Sequence, residues 1–383
     1  MTRRRESGVL FVTPWLLDGG VERVIENTVP WLAGHGHRCE VASWEVARRL
    51  SGETNPVLGA LSAAGVPVHA VTSHARLHLI QRAAVVALLA LRRRHRLLIG
   101  YELEGNLVAL LAKRLLLGRV RVMAQIHNSS RIYAEAGIPS AHVRLARRLY
   151  PQADSIVAVS ESIRQDSIRF FRLDPSRVLT LYNPLPITRI REMATQPLSE
   201  KALPRGPFIV ACGRLVRMKG FGDLVRAFAR LRRDRELQLV ILGEGPERAA
   251  LAESVASEGV AAEVLLPGFV ANPWSYFRRA RAFALTSLFG ESFSMALVEA
   301  MSCGAPVVAS RCEWGPEEIL EGGRHGLLYD PGNVEELTSQ LKAVCSGGAA
   351  VAQRVESAAL RAEQFSQEVV LPALERQIVA LLH

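Results

Sequence analysis

Lysine is scarce in this chain. Only Lys113, Lys201, Lys219 and Lys342 occur, against 43 arginines among 383 residues. Where a lysine falls inside a motif, a mere need for positive charge is therefore a poor explanation. Cysteine is scarce too: Cys39, Cys212, Cys303, Cys312 and Cys345 are odd in number and show no CxxC or Cys/His ligand spacing. That excludes a disulfide framework and a zinc site, and leaves five reduced, small apolar residues. Long apolar runs are missing as well. The longest uncharged one, Ala83 to Leu91, is bracketed by Arg82 and Arg92 to Arg94, and has about half of the ~20 residues a spanning helix needs. The basic N-terminus leads into an apolar stretch broken by Thr13-Pro14 with no small-residue cleavage site, which reads as a first strand rather than a signal peptide and implies a cytoplasmic chain. No Asp-x-Asp occurs anywhere, so no metal site is expected.

Half of the residues are hydrophobic, and 22% are charged. At this length that is enough for two domains with separate cores. The formal charge of +10 is one-sided: residues 1–185 carry 25 Lys and Arg against 14 Asp and Glu, and the remainder is nearly balanced. Two stretches concentrate it, Arg76 to Arg96 and His142 to Arg148, where Arg144, Arg147 and Arg148 share one helical face. A solvated helix face is one reading. The other is a surface that meets anionic lipid head groups or a phosphorylated acceptor. Nucleic acid is not expected, because no aromatic is interleaved with these arginines and no DNA- or RNA-binding motif is present. The Ala83–Leu91 stretch can pack in the core, so attachment is assigned chiefly to charge.

Short β-branched runs alternate with longer helical patterns in the first half. Strands are expected at Val9–Thr13, Arg38–Ser43, Val68–Val71, Leu97–Gly100, Val120–Ile126, Ser155–Val159 and Val178–Leu181. Helical patterns between them include Val21–Ala33 and Gly105–Leu117. After Asn183-Pro184-Leu185-Pro186 comes a polar, proline-punctuated segment that reads as a linker. The rhythm then restarts with strands Phe208–Cys212, Gln238–Leu242, Glu263–Leu266, Ala282–Thr286 and Pro306–Ala309. Two doubly wound α/β domains in series follow, each with a parallel sheet covered on both faces. Ser366–Leu382 reads as an amphipathic helix that caps the second domain or crosses back to the first.

In such sheets ligands sit beyond the carboxyl ends of the strands. After Phe208–Cys212 the loop GRLVRMKG places Arg214 and Lys219 together. This pair suits a diphosphate: a guanidinium grips two oxygens, and a compact ammonium fits a tighter place. After Gln238–Leu242, Gly243-Glu-Gly245 lacks a third glycine, since position 248 is Arg248. It is weak evidence for NAD, and marks a backbone held close to a nucleotide or to a neighbouring loop. In Glu291 to Ser310, Ser294 reads as a helix start, so amides near Phe293, Ser294 and Met295 form an anion site. Glu299 lies ~7.5 Å further along that helix, so Glu291 and Glu299 can address different parts of one ligand. A carboxylate also suits a pair of ribose hydroxyls. In the first half, Gly19-Gly20 opens a helix after strand one, and His127 stands at a strand's carboxyl end. The glycines allow close approach to phosphates; for a lone histidine, a structural and a functional role are both open.

Taken together, GGVER at 19–23, HN at 127–128, VAVSES at 157–162, YNP at 182–184, GRLVRMKG at 213–220, GEGPE at 243–247, PGFV at 267–270, the Glu291 to Glu299 spacing and GRHGLLYDPGN at 323–333 resemble the retaining family 4 glycosyltransferases with the GT-B fold. The resemblance spans nearly the whole chain. It implies an acceptor-binding domain over 1–185, a linker over 186–206, a nucleotide-sugar-binding domain over 207–362, and a C-terminal helix, 363–383, packing on the first domain. Two Rossmann-like domains would then face each other across a cleft.

The resemblance further implies a metal-independent, retaining hexosyltransferase that takes its sugar from a nucleotide diphosphate donor, a UDP-sugar, with no other cofactor. Arg214 and Lys219 would hold the diphosphate, Glu299 the ribose and Glu291 the sugar hydroxyls. The Phe269–Val270 backbone would meet the base, His127 the donor sugar, and Gly20, next to Gly19, would close over the phosphates. The acceptor would be lipid-linked or a glycan, in cell-surface polysaccharide synthesis such as that of lipopolysaccharide. Such an enzyme would sit peripherally on the inner face of the cytoplasmic membrane. Ser292, Ser294 and Pro184 stand where many relatives carry Gly, Pro or Gly, and leave the sugar open. A transferase with a soluble acceptor, a nucleotide-sugar epimerase and a non-catalytic nucleotide-binding protein are the competing readings.

Overall fold

The computed structural model describes residues 8–16, 19–46, 55–71, 78–135, 137–198, 203–232 and 236–383. Arg76, Lys201 and the basic residues before Gly8 lie outside them. The chain forms two compact units, one of Met1–Pro184 with Gln367–His383 and one of Leu185–Ser366.

In the first unit, strands β1 (Gly8–Leu16), β2 (Cys39–Val46), β3 (Val68–Ala70), β4 (His95–Tyr101), β5 (Arg121–Ile126), β6 (Ser155–Ala158) and β7 (Val178–Thr180) form one parallel sheet. Their spatial order is β3-β2-β1-β4-β5-β6-β7. The central strands are buried on both faces, which is why they read as unbroken apolar runs; Val9 to Val12 are fully enclosed. Strand order reverses between β1 and β4, opening a crevice at their carboxyl ends. Helix Glu102–Leu115 follows β4 and packs against β1, β4 and β5. A Cβ on Gly105 would stand 2.5 Å from the Val12 carbonyl oxygen, so only glycine lets the helix approach β1. Buried Asn106 then pins the helix to β5, donating to the Gln125 carbonyl at 2.8 Å and accepting from its amide at 3.2 Å.

The second unit holds β8 (Phe208–Cys212), β9 (Gln238–Leu242), β10 (Val264–Gly268), β11 (Ala282–Leu285), β12 (Val307–Ser310) and β13 (Leu327–Tyr329), all parallel, in the order β10-β9-β8-β11-β12-β13. Its core joins Ile209, Ile241 and Val308 to Leu224, Phe228, Leu337 and Leu341 of the covering helices. The reversal here falls between β8 and β11.

Two boundaries differ from the sequence reading. The segment 186–206 is not simply a linker: Ile187–Ala194 is a helix that buries Ile187, Ile190 and Ala194 within the second unit. Arg191 donates to the Ser302 carbonyl at 3.1 Å, and Asn272 to that of Met193 at 2.8 Å. Its apolar face was hidden by the prolines that precede it. At the other end, the return to the first unit falls at Gln367 rather than 363. The helix Gln367–Leu382 buries Val370, Leu371, Leu374 and Ile378 there, and Glu375 bonds His37 at 2.7 Å. Strand β13, three residues long, was also not foreseen. Among the described residues, no helix is long and apolar enough to cross a membrane.

Candidate functional site

The loop after β8 is stitched to its neighbours by backbone bonds. Leu215 donates to the Glu244 carbonyl at 2.8 Å, Glu247 to Leu215 at 3.0 Å, and Gly243 to Gly268 at 2.8 Å. A Cβ on Gly243 would sit 2.0 Å from the Gly213 oxygen, and one on Gly245 2.3 Å from that of Leu215. Of the two roles the sequence left open for Gly243-Glu-Gly245, the packing of neighbouring loops therefore accounts for both glycines.

The loop after β11 clamps the other side. Thr286 Oγ1 donates to the Lys219 carbonyl at 2.8 Å, and the Leu288 amide to that of Met218 at 2.7 Å. Gly220, at φ +62°, makes this possible, because a Cβ there would lie 2.1 Å from the Thr286 oxygen. So held, Lys219 Nζ donates to Glu291 Oε1, and Ser287 Oγ donates to the same oxygen at 2.6 Å. Burial of Glu291 favours its neutral form, but the Lys219 charge, with hydrogen bonds from Lys219, Ser287 and Ser294, outweighs it and holds the carboxyl below its usual range. Glu291 is thus a buried carboxylate, and Lys219, partly exposed, is its counter-ion.

Helix Met295–Ser302 begins after Ser294, as expected, with Phe293, Ser294 and Glu299 buried and Met295 half-buried. A third loop braces Glu291 from behind. The Gly315 amide donates to the Glu291 carbonyl at 2.7 Å, and Trp314 precedes it at φ +85°. Neither residue was singled out from sequence; a tryptophan at positive φ is a strain visible only in the fold. Arg214 and Phe269 are exposed, and Val270 is half-exposed.

In the first unit, His127 follows β5 and stacks on Tyr101 at 5.3 Å between ring centroids. Its Nε2 stands 3.2 Å from Gln125 Oε1. Burial pushes its pKa down to about 3, so the imidazole is neutral. Next to it, Asn128 donates to Glu102 Oε2. Glu102 opens its helix at φ +59°, a left-handed conformation that non-glycine residues seldom adopt. Burial, opposed by the Asn128 bond and reinforced by the Glu22 carboxylate, pushes the Glu102 pKa up to about 7. Glu22 belongs to the Gly19-Gly20 segment, where a Cβ on Gly19 would lie 2.6 Å from Glu22 Oε2; one on Gly20 would meet nothing within 4 Å among the described residues. Sequence reasoning found His127, Gly19 and Gly20 but missed Glu22 and Glu102, since a glutamate in a first helical turn is ordinary.

The thiols of Cys39, Cys303 and Cys312 are pushed up to about 12 by burial. They offer no thiolate nucleophile at neutral pH.

Two doubly wound parallel units, each with its candidate side chains on loops beyond the carboxyl ends of the strands, define an α/β protein of two Rossmann-like domains. Residues 18–189 match the family model described as Glycosyltransferase Family 4, and residues 196–361 that of Glycosyl transferases group 1. The chain belongs to the family 4 glycosyltransferases of GT-B type.

It is 34% identical over 194 residues to the N-acetylgalactosamine-N,N'-diacetylbacillosaminyl-diphospho-undecaprenol 4-alpha-N-acetylgalactosaminyltransferase of Campylobacter jejuni, covering 51% of each chain. It is 30% identical over 199 residues to the lipopolysaccharide 1,6-galactosyltransferase of Salmonella typhimurium, covering 51% of this chain and 53% of that one. The chain spans about half the length of these curated relatives. Among solved structures, a glycosyltransferase of Rickettsia africae superposes with a TM-score of 0.82 at 16% identity, over 98% of this chain and 99% of that one. Anabaena HepE in complex with UDP does so with 0.81 at 20%, over 97% and 100%. These likenesses establish the fold.

Proposed function

We propose that this protein transfers a sugar from a UDP-sugar, with retention and without a divalent metal, to a lipid-linked or glycan acceptor in cell-surface polysaccharide synthesis. The observation that carries the reading is the ion pair of Lys219 with buried Glu291 at the carboxyl edge of β11, beside the start of helix Met295–Ser302. An anionic diphosphate entering there draws on Lys219, on exposed Arg214 and on the helix amides. Glu291 keeps its charge and accepts bonds from sugar hydroxyls. Glu299 holds the ribose, and the Phe269–Val270 backbone meets the base. His127, neutral, makes one directional hydrogen bond to the donor sugar, and Gly19-Gly20 admits the phosphates, a Cβ on Gly20 meeting nothing within 4 Å among the described residues.

In the reaction the bond from the anomeric carbon to the phosphate oxygen breaks. The acceptor oxygen bonds to that carbon from the same face, and its proton passes to the departing diphosphate. Charge develops on that diphosphate, and Lys219, Arg214 and the helix amides stabilise it more in the transition state than in the ground state. The acceptor reading draws on the Campylobacter and Salmonella relatives, whose names specify a diphospho-undecaprenol-linked sugar and lipopolysaccharide. The donor reading draws on the UDP in HepE. The basic first half adds an anionic membrane surface as partner, on the inner face of the cytoplasmic membrane.

A thermal-shift panel of nucleotide sugars tests this. A cognate donor at about 100 times its dissociation constant stabilises by about 2.7 kcal/mol. No shift with any UDP-sugar overturns the donor, and conversion of the UDP-sugar to an epimer with no net UDP release and no need for an acceptor favours the epimerase.

A further inference from the structure

Helices Val334–Ser346 and Ala349–Glu363 follow β13 in the second unit. Two glycines join them, Gly347 at φ +71° and Gly348 at φ +100°, and turn the chain sharply. The first helix packs on β12 and β13, the second on helix Met295–Ser302. On the second helix one stripe faces inward, and its later members, Ala358 and Ala362, are buried. Val351, Arg354 and Val355, one to two turns earlier on that stripe, stay only half-buried. The stripe thus extends beyond what the chain covers.

Where the two helices part, a cavity of about 260 Å³ opens against the amino ends of β12 and β13. This is the edge opposite Lys219 and Glu291, which stand beyond carboxyl ends in the same parallel sheet. Its body is aliphatic, made by Val307, Leu327, Val344, Val351 and Val355, and among the described residues no Phe, Tyr or Trp lines it. A nucleobase finds no ring to stack on there. The volume falls below the ~300 Å³ at which sites for drug-sized ligands begin, so the occupant is short.

Three polar side chains reach the cavity, His325, Gln340 and Arg354. His325 is already engaged: its Nδ1 stands 3.1 Å from Ser357 Oγ and its Nε2 3.2 Å from Glu321 Oε2. Glu321 also takes Arg324 at 3.4 Å and Arg361 at 3.2 Å. Gln340 and Arg354 differ. Both are half-buried, and among the described residues neither side chain has a hydrogen-bond or ionic partner. No acidic residue lies three or four positions from Arg354 along its helix. A guanidinium grips two oxygens of one anion, and an aliphatic wall gains by covering an aliphatic chain.

We propose that this cavity is a second ligand site, separate from the donor site, for a short aliphatic chain that bears a carboxylate or phosphate. The chain lies along Val307, Leu327, Val344, Val351 and Val355, and the anionic head meets Arg354 and Gln340. The site does not depend on the proposed transfer reaction.

Calorimetric titration of the full chain with straight-chain carboxylates, at two temperatures, tests this. From butanoate to octanoate affinity rises about fourfold per methylene, the factor that about 0.8 kcal/mol per buried CH2 gives, and it stops rising once the chain outgrows the cavity. Octanol, with the same chain and no charge, binds about tenfold more weakly than octanoate. Octyl phosphate set against octanoate shows which head group the site prefers. Arg354→Ala weakens octanoate by about tenfold. Ala343→Phe, which sends a ring into the cavity from an exposed position, abolishes octanoate binding while the protein still melts cooperatively. Saturating UDP leaves the octanoate affinity unchanged. Equal affinity for octanol and octanoate, or an unchanged Arg354→Ala variant, overturns the assignment. So does affinity that climbs with chain length without limit and survives Ala343→Phe, which is adsorption to the surface. Displacement of octanoate by UDP would put it beside Arg214 and Lys219, and no binding at either temperature leaves no site; both results also sink the proposal.

Discussion

Lys219 and Glu291, 72 positions apart, share a hydrogen bond from Nζ to Oε1 beyond the carboxyl ends of two adjacent parallel strands. The sequence reading gives them separate tasks, phosphate for one and sugar for the other. Paired, they depend on each other: Lys219 keeps Glu291 ionised while buried, and Glu291 holds the ammonium in place before a ligand arrives.

Lys219→Ala therefore does more than remove a phosphate contact. It leaves a buried carboxylate without its counter-ion, which raises the Glu291 pKa and costs on the order of 3 kcal/mol, less to the extent that the pair is open to water. UDP affinity falls. Glu291→Gln removes the charge but keeps a hydrogen-bonding partner, so it lowers turnover more than UDP binding. Calorimetric UDP titration with steady-state kinetics on both variants and the double variant checks this; strictly additive effects contradict the coupling.

Glu102 and His127 give the first unit opposite pH sensitivities. The Glu102 pKa is raised from 4.5 to about 7, so its proton favours the folded state. Its contribution is fully present below about pH 4.5 and is lost as pH rises through about 7, roughly 3 kcal/mol in all. The His127 pKa is lowered from 6.5 to about 3, so its contribution is present above about 6.5 and lost as pH falls. Melting temperatures from about pH 5 to about pH 8 read the difference. Glu102→Gln gains relative to wild type toward high pH, and His127→Gln gains toward low pH.

Gly220→Ala places a methyl carbon against the Thr286 oxygen, at a backbone angle that alanine resists. The loop must shift, at a cost of about 2 kcal/mol or more, and carries Lys219 away from Glu291. Both the melting temperature and UDP affinity fall. Gly222→Ala, where a Cβ meets nothing within 4 Å, leaves them unchanged and serves as the control.

Transfer needs no divalent metal under the proposed function, because Arg214, Lys219 and the helix amides neutralise the diphosphate. Turnover is the same with EDTA as without it. Loss of activity that magnesium or manganese restores contradicts the assignment.

Much of this molecule is determined within short windows of sequence. Buried parallel strands must be apolar on both faces, so β1, β8 and β11 are legible as runs, and strand-helix alternation dictates doubly wound sheets. The Arg214 to Lys219 and Glu291 to Glu299 segments are legible for the same reason: each lies on one loop or on one loop and the start of the helix that follows it. Tertiary structure decided what depends on two distant segments meeting. The role of Gly243 and Gly245 appears only when the Gly213 and Leu215 carbonyls lie beneath them. The protonation of Glu102 depends on burial beside Glu22, from the first turn of the helix after β1. Helix Ile187–Ala194 acquires its place from Ser302 and Asn272. The outward half of His78–Arg93 could not be told from its inward half, because both are apolar; periodicity locates a buried face only when the opposite face is polar, and here packing alone chose which side the sheet would cover.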